Sequence, residues 1–229
     1  MWFAIGLLLS LFATSAEASN LIWPEASSLD AGQGQVAVGG VVQPYPTTDG
    51  IELGSGAQVG GRFALSDRIS VLGSGFGSAN LPLTGGAVMV ESRLFDHERW
   101  RLSLYSGMGA AALGGDGPLV AALVGTAFQA NTDRVVFDVS VPLYGVGLLD
   151  VDGSPPTGLA SVLVLPLSSE LGVSAAFGDH RIRGGLMSLI PVVGYRYAPE
   201  TGFTVQMDMG VPPHRDASPL FHFELGHRF

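Results

Sequence analysis

The final stretch of the chain, Pro219-Leu-Phe-His-Phe-Glu-Leu-Gly-His-Arg-Phe229, alternates at period two up to its last residue. Phe221, Phe223, Leu225 and Phe229 fall on one face, while His222, Glu224, Gly226 and Arg228 fall on the other. Successive side chains of an extended strand point to opposite faces, so this stretch reads as a strand with an apolar face and a charged face. An edge strand of a soluble sandwich also has this alternation. It gives no reason for the pattern to end on an aromatic ring.

The other end of the chain says where such a strand would work. Residues 1–18 run through an apolar core, Ile5 to Phe12, into the small residues Ala16 and Ala18 flanking Glu17. This is the apolar region and A-x-A cleavage pattern of an exported protein, although no Lys or Arg precedes the core. We expect a signal peptide over 1–18. The apolar run is short for a comfortable transmembrane helix, and no other stretch supplies about eighteen unbroken apolar residues. A membrane location then leaves only a closed barrel, because lipid offers no partner to an open sheet edge.

Composition agrees. With 33 Gly and 14% charged residues in 229, the chain is unusual for a soluble globule. It suits strands whose outer face needs no charge and whose inner face is crowded. Cysteine is absent, so thiol chemistry, disulfides and a lipoprotein anchor are excluded. All 11 basic residues are Arg, and the net charge of −9 leaves no basic stripe for nucleic acid.

Beyond residues 19–30, which show no periodicity and form a periplasmic or lumen-inserted segment, the sequence predicts a barrel over 31–229. Strands are expected at 32–43, 54–65, 69–77, 86–95, 99–110, 119–128, 135–145, 157–165, 171–177, 185–197, 203–210 and 220–229. That is about twelve antiparallel strands, with ten as the alternative count; an even number returns both ends to one side. Alternate connections are tight and polar, at 66–68, 96–98, 130–134, 166–170 and 198–202, and read as periplasmic turns. The others, at 44–53, 78–85, 111–118, 146–156, 178–184 and 211–219, are richer in Gly, Pro and Asp and read as outward loops. Phe63, Phe95, Trp100, Phe128, Phe137, Tyr195, Tyr197, Phe203 and Phe229 all lie near a tight turn or the C-terminus, where rings would sit at the headgroup level.

The ending Pro219 to Phe229, together with Gly194-Tyr-Arg-Tyr-Ala-Pro-Glu-Thr-Gly-Phe-Thr-Val205, resembles the closing hairpin of small, mostly uncharacterised Gram-negative outer-membrane β-barrels. The resemblance covers about the last forty residues. It implies an outer-membrane location and a C-terminal aromatic signal, carried by Phe221, Phe223, Leu225 and Phe229, that the barrel assembly machinery reads. It carries no catalytic residue with it.

Strand parity places the chemistry. Arg62, Glu91, Arg93, Arg101, Asp138, Arg196, Asp208 and Glu224 fall on the inner face, as a lumen lining or constriction. Such a ring either selects solutes by size and charge or fills the lumen with Arg–carboxylate pairs that hold the barrel round. Twelve strands enclose a space between a side-chain-filled barrel and an open porin. No His-x-Ser pair of the kind carried by outer-membrane lipid hydrolases occurs. Asp179-His180 and His214-Arg-Asp216 with Ser218, placed in outward loops, are the nearest substitute for a catalytic rim, and the histidines lack the fixed spacing of a metal site. No catalytic residue, metal or cofactor is assigned. Acidic loop residues such as Asp49, Asp116 and Asp150 could bind divalent cations that bridge lipopolysaccharide. The expectation is a narrow passive pore for small polar solutes, in contact with outer-membrane lipid and lipopolysaccharide. The alternative is a closed structural or interaction barrel without transport.

Overall fold

The computed structural model describes residues 29–47, 50–78, 83–113, 119–132, 135–148, 162–166, 170–187, 190–211 and 219–229. Among them the chain forms thirteen strand segments: β1 (Gly34–Thr47), β2 (Gly50–Ser66), β3 (Ile69–Ser78), β4 (Leu83–His97), β5 (Trp100–Leu113), β6 (Leu119–Asn131), β7 (Val135–Leu148), β8 (Val162–Pro166), β9 (Glu170–Phe177), β10 (His180–Met187), β11 (Ile190–Tyr197), β12 (Gly202–Gly210) and β13 (Leu220–Arg228). Each pairs antiparallel with its neighbours, and β1 pairs with β13, so the ladder closes on itself. The seam runs from Gln35↔Arg228 to Val42↔Phe221. At its foot Gly34 and Phe229 exchange both backbone hydrogen bonds, at 2.8 and 3.0 Å.

Thirteen segments fill twelve strand positions. The register that pairs Ser140 of β7 with Glu170 of β9 continues unbroken to pair Tyr144 with Pro166 of β8. β8 and β9 are therefore two halves of one strand. Residues 167–169 between them lie outside the described residues; Pro142 in β7 and Pro166 at the end of β8 have no N–H for the ladder. At the same level the β6–β7 register slips between Val124 and Thr126.

Two sequence expectations are corrected here, and they offset each other. The expected strands 157–165 and 171–177 are not separate strands joined by a turn at 166–170. The stretch 178–184 is not an outward loop. Gly178, at a φ of 63°, and Asp179 make a tight turn between β9 and β10, and the expected strand 185–197 divides into β10 and β11. The strand count survives, but the end at which Asp179 and His180 lie is reversed.

The packing is inverted relative to a soluble protein. Among the described residues sixteen polar or charged side chains are buried against nine apolar ones, while Val38, Val59, Val88, Met108 and Phe203 are more than half exposed. Most long apolar residues of the described strands point outward and most of the charged ones inward, with Leu72, Met89 and Tyr105 as apolar or aromatic exceptions on the inner face. An apolar outer band around a polar interior is the arrangement a lipid bilayer demands of a barrel, and the chain crosses the membrane by its strands. No helix among the described residues is long and apolar enough to span.

At the short-turn end the outer face carries paired rings. Phe95 packs on Trp100 with centroids 5.5 Å apart, His180 on Tyr197 at 5.0 Å, and His227 lies edge-on to Phe203 at 5.2 Å. Phe95, Trp100, Tyr197 and Phe203 are among the rings expected near the turns; His180 and His227 are not, and the side chain of Phe137 lies outside the described residues. Phe177 joins them.

The wall is uneven. β2 has 17 residues and β4 has 15, whereas β10 and β11 have 8 each and β12 and β13 have 9. At roughly 3.3 Å per residue, β2 is about 56 Å long and β13 about 30 Å. Among the described residues β1 pairs only with β2 beyond Val42, and this projecting edge contains Pro44 and Pro46. Proline removes the edge donors that would invite another strand.

Candidate functional site

The lumen wall holds the chemistry, in two groups. The first is built on β2, β4 and β5. Arg62 and Glu91 are both buried, with Nε and Oε2 3.9 Å apart, beyond hydrogen-bond reach, so they attract as charges. Glu91 Oε1 accepts a 2.7 Å hydrogen bond from Ser103 Oγ. Tyr105, opposite Glu91 in the ladder, has no exposed surface, and Leu72 and Met89 are buried on the same inner face. One side of the lumen is thus packed, with charge set among apolar side chains.

Nearer the turns, Asp96 is shared. Arg93 Nη1 donates to Asp96 Oδ2 at 2.7 Å and Arg101 Nε donates to Oδ1 at 2.8 Å. A bulge makes this possible. The β4–β5 register shifts between Arg93 and Phe95, so that Leu94 and Phe95 both point outward and Asp96 returns to the inner face, opposite Arg101. Arg93 Nη2 also donates to the backbone carbonyl of Leu29 at 3.1 Å.

The second group lies on β10 to β13, around Asp208. Its Oδ1 accepts from Arg183 Nε at 2.8 Å; its Oδ2 accepts from Gln206 Nε2 at 2.5 Å and lies 2.8 Å from His222 Nδ1. All four side chains are buried. The carboxylate fits because Gly194 stands opposite it on β11, where a Cβ would collide with it. One register step toward the turns, Arg196, Gln206 and Glu224 lie side by side on β11, β12 and β13, with Arg196 attracting Glu224 electrostatically. Glu224 Oε2 and His222 Nε2 have no hydrogen-bond partner among the described residues.

The inner-face residues expected from sequence are therefore sorted rather than ringed. Arg62 meets Glu91; Arg93 and Arg101 meet through Asp96; Asp208, Glu224 and Arg196 share the opposite wall. Asp138 is placed by register opposite Gln129 and Gly172, and its side chain lies outside the described residues. Sequence reasoning missed Asp96, assigned to a turn, and Arg183, assigned to an outward loop. Asp179 and His180 do not approach a rim site. They lie at the short-turn end, where His180 Nδ1 is 2.6 Å from Tyr195 Oη, and residues 214–218 lie outside the described residues. Phe221, Phe223, Leu225 and Phe229 all face outward and are exposed.

No family model matches this chain, and no curated protein matches it in sequence. Solved structures share its fold. A KdgM porin is similar over 85% of this chain and 98% of its own, at 10% identity and a TM-score of 0.54. A KdgM porin in complex with disordered oligogalacturonate is similar over the same shares, at 10% identity and a TM-score of 0.56. Outer membrane phospholipase A from Escherichia coli matches over 86% of this chain and 92% of its own, at 10% identity and a TM-score of 0.48. The fold is that of an outer-membrane antiparallel β-barrel of about twelve strands.

Proposed function

We propose that this barrel is a narrow passive pore for small polar solutes, with the two buried charge groups as its constriction. The observation that carries the reading is the lumen wall itself. Arg62, Glu91, Arg93 and Asp96 line one side and Arg183, Asp208, Arg196 and Glu224 the other, and most are less than a tenth exposed. Inward rings of charged side chains set size and charge selection in β-barrel channels. The porin of like fold that holds an oligogalacturonate binds a polyanion. Here carboxylates alternate with the arginines, which favours small polar solutes over extended anions.

The burial of the same side chains favours a second reading, a closed structural or interaction barrel whose lumen is filled by its own ion pairs. We assign no catalytic role in either reading; Ser103, whose hydroxyl donates to Glu91, is itself fully buried. Its surroundings are outer-membrane lipid and lipopolysaccharide. The outward aromatic strand ending at Phe229 serves as the assembly signal. Single-channel conductance of the refolded protein in a planar bilayer decides between the readings, with heat-modifiable gel mobility as the check on folding. Discrete steps are expected of the pore; silence from folded protein would leave the closed barrel.

A further inference from the structure

The barrel wall has a notch on one side. β10 and β11 pair along their whole length, from His180↔Tyr197 to Met187↔Ile190, and only residues 188 and 189 join them, so the ladder between them ends there. From His180 to Met187 the strand covers about 23 Å at roughly 3.3 Å per residue. A tilt of about 35–45° turns this into about 16–19 Å of height above the outward His180–Tyr197 ring pair, against an apolar band about 25 Å tall. On the same measure β2 rises about 30–35 Å from Phe63 to Gly50. Beside the notch, β9 and β8 carry one strand position up to Val162.

The lip at β10 and β11 thus falls about 6–9 Å short of the outer headgroup level. Its outward residues suit that depth, since Leu186 and Val193 are apolar and exposed. Backbone that leaves a ladder among acyl chains is tolerated where it borders a cavity, and the barrel mouth is such a place. Behind the lip lie two inner-face rows. Gly185, Val192, Gly210 and Leu220 stand opposite one another on β10 to β13, small or apolar throughout. Two residues deeper, Arg183, Gly194, Asp208 and His222 form the next row. His222 Nε2 is buried there with no hydrogen-bond partner among the described residues.

An apolar edge at acyl-chain depth, set over a polar row with an unanswered imidazole nitrogen, matches a molecule with one alkyl chain and a small hydrogen-bonding head group. We infer that the barrel opens sideways through this notch into the outer leaflet, and that a single-chain amphiphile binds across it, its chain over the Val192–Leu220 row and its head group at the Asp208–His222 row. This goes beyond the passage of polar solutes. It needs no conduction, so lateral binding and the pore reading can each fail without the other.

The chain has no cysteine, so a single introduced thiol reports its own position. The protein is folded into phosphatidylcholine vesicles, with heat-modifiable gel mobility as the check on each variant. A nitroxide on Leu186→Cys should be relaxed by oxygen and shielded from a water-soluble nickel chelate; chelate access equal to that at Glu98→Cys, in the exposed β4–β5 turn, would place the lip at the surface and overturn the inference. A maleimide on a hexadecyl chain, dissolved in the vesicle lipid, then tests the opening. It should label the outward Val193→Cys and the inward Val192→Cys, and spare Ser74→Cys, which faces inward from β3 behind the tall wall. Labelling of Val193→Cys without Val192→Cys overturns the sideways opening, and so does equal labelling of Ser74→Cys, which would mean entry from above. Dodecanol should slow the reaction at Val192→Cys several-fold and dodecane should not. Equal slowing by both, or none by dodecanol, removes the head-group site.

Discussion

Gly194 stands opposite Asp208 across the β11–β12 ladder, and the Asp208 carboxylate occupies the space that a Cβ at position 194 would take. Gly194→Ala therefore pushes the carboxylate away from Arg183 and His222. Overpacking of this kind costs about 1–3 kcal/mol. Gly73→Ala is the matched control, because a Cβ there meets nothing within 4 Å. Denaturant unfolding in detergent should lower the midpoint for Gly194→Ala and leave Gly73→Ala near the parent; equal midpoints would remove the close fit.

Removing the carboxylate itself is more damaging. Asp208 serves Arg183, Gln206 and His222 at once, all on buried side chains. Breaking a buried pair by deleting one partner costs about 3–5 kcal/mol. Asp208→Ala should lower the unfolding midpoint more than Gly194→Ala, with Asp208→Asn between them. An Asp208→Ala protein as stable as the parent would mean that the cluster fills space without holding the wall.

The arginines sharing Asp96 govern charge selection if the lumen conducts. Arg93→Ala with Arg101→Ala leaves Asp96 without its two cations and turns the local sum negative. The reversal potential under a salt gradient should move toward cation selectivity. Unchanged selectivity would exclude these residues from the narrow part of the pathway.

Phe229 closes the seam. Its backbone exchanges two hydrogen bonds with Gly34, and a Cβ at Gly34 would run into its ring. Deleting Phe229 removes the last rung of the β1–β13 ladder together with the outward terminal aromatic. We expect a lower yield of heat-modifiable, membrane-inserted protein in cells, and Gly34→Val should reproduce part of the defect. Normal insertion without Phe229 would leave the terminal strand with no part in assembly.

The alternation that reveals β12 and β13 in the sequence also gives their inward residues correctly, because one face meets lipid and the other a polar interior. Asp96 is hidden by the bulge, although its trace is present. Leu94-Phe95 sets two apolar residues side by side between charged Arg93 and Asp96, which a strict period of two does not permit. Arg183 is hidden by composition. Gly178-Asp179 between Phe177 and His180 is a two-residue turn signal, and His180-Arg-Ile-Arg183 already alternates. The Gly-rich surroundings make the stretch look like a loop. Conversely, Pro166-Leu-Ser-Ser-Glu170 has the residues of a turn, yet Pro166 and Glu170 at its two ends keep one register with β7. Strand continuity there is decided by the neighbouring strand, which no local reading of the residues contains.

The inequality of the strands gives the far opening a direction. β10 to β13 have 8 or 9 residues, while β1, β2 and β4 have 14, 17 and 15. The rim is cut on a slant, like a quill. Its low side lies directly above Asp208 and His222, and its high side stands up as a screen. In the pore proposed above, only residues 209–210 of β12 stand above Asp208, whereas residues 83–90 of β4 stand above Glu91, so a molecule entering over the low lip would reach the Asp208 cluster by the shorter wall.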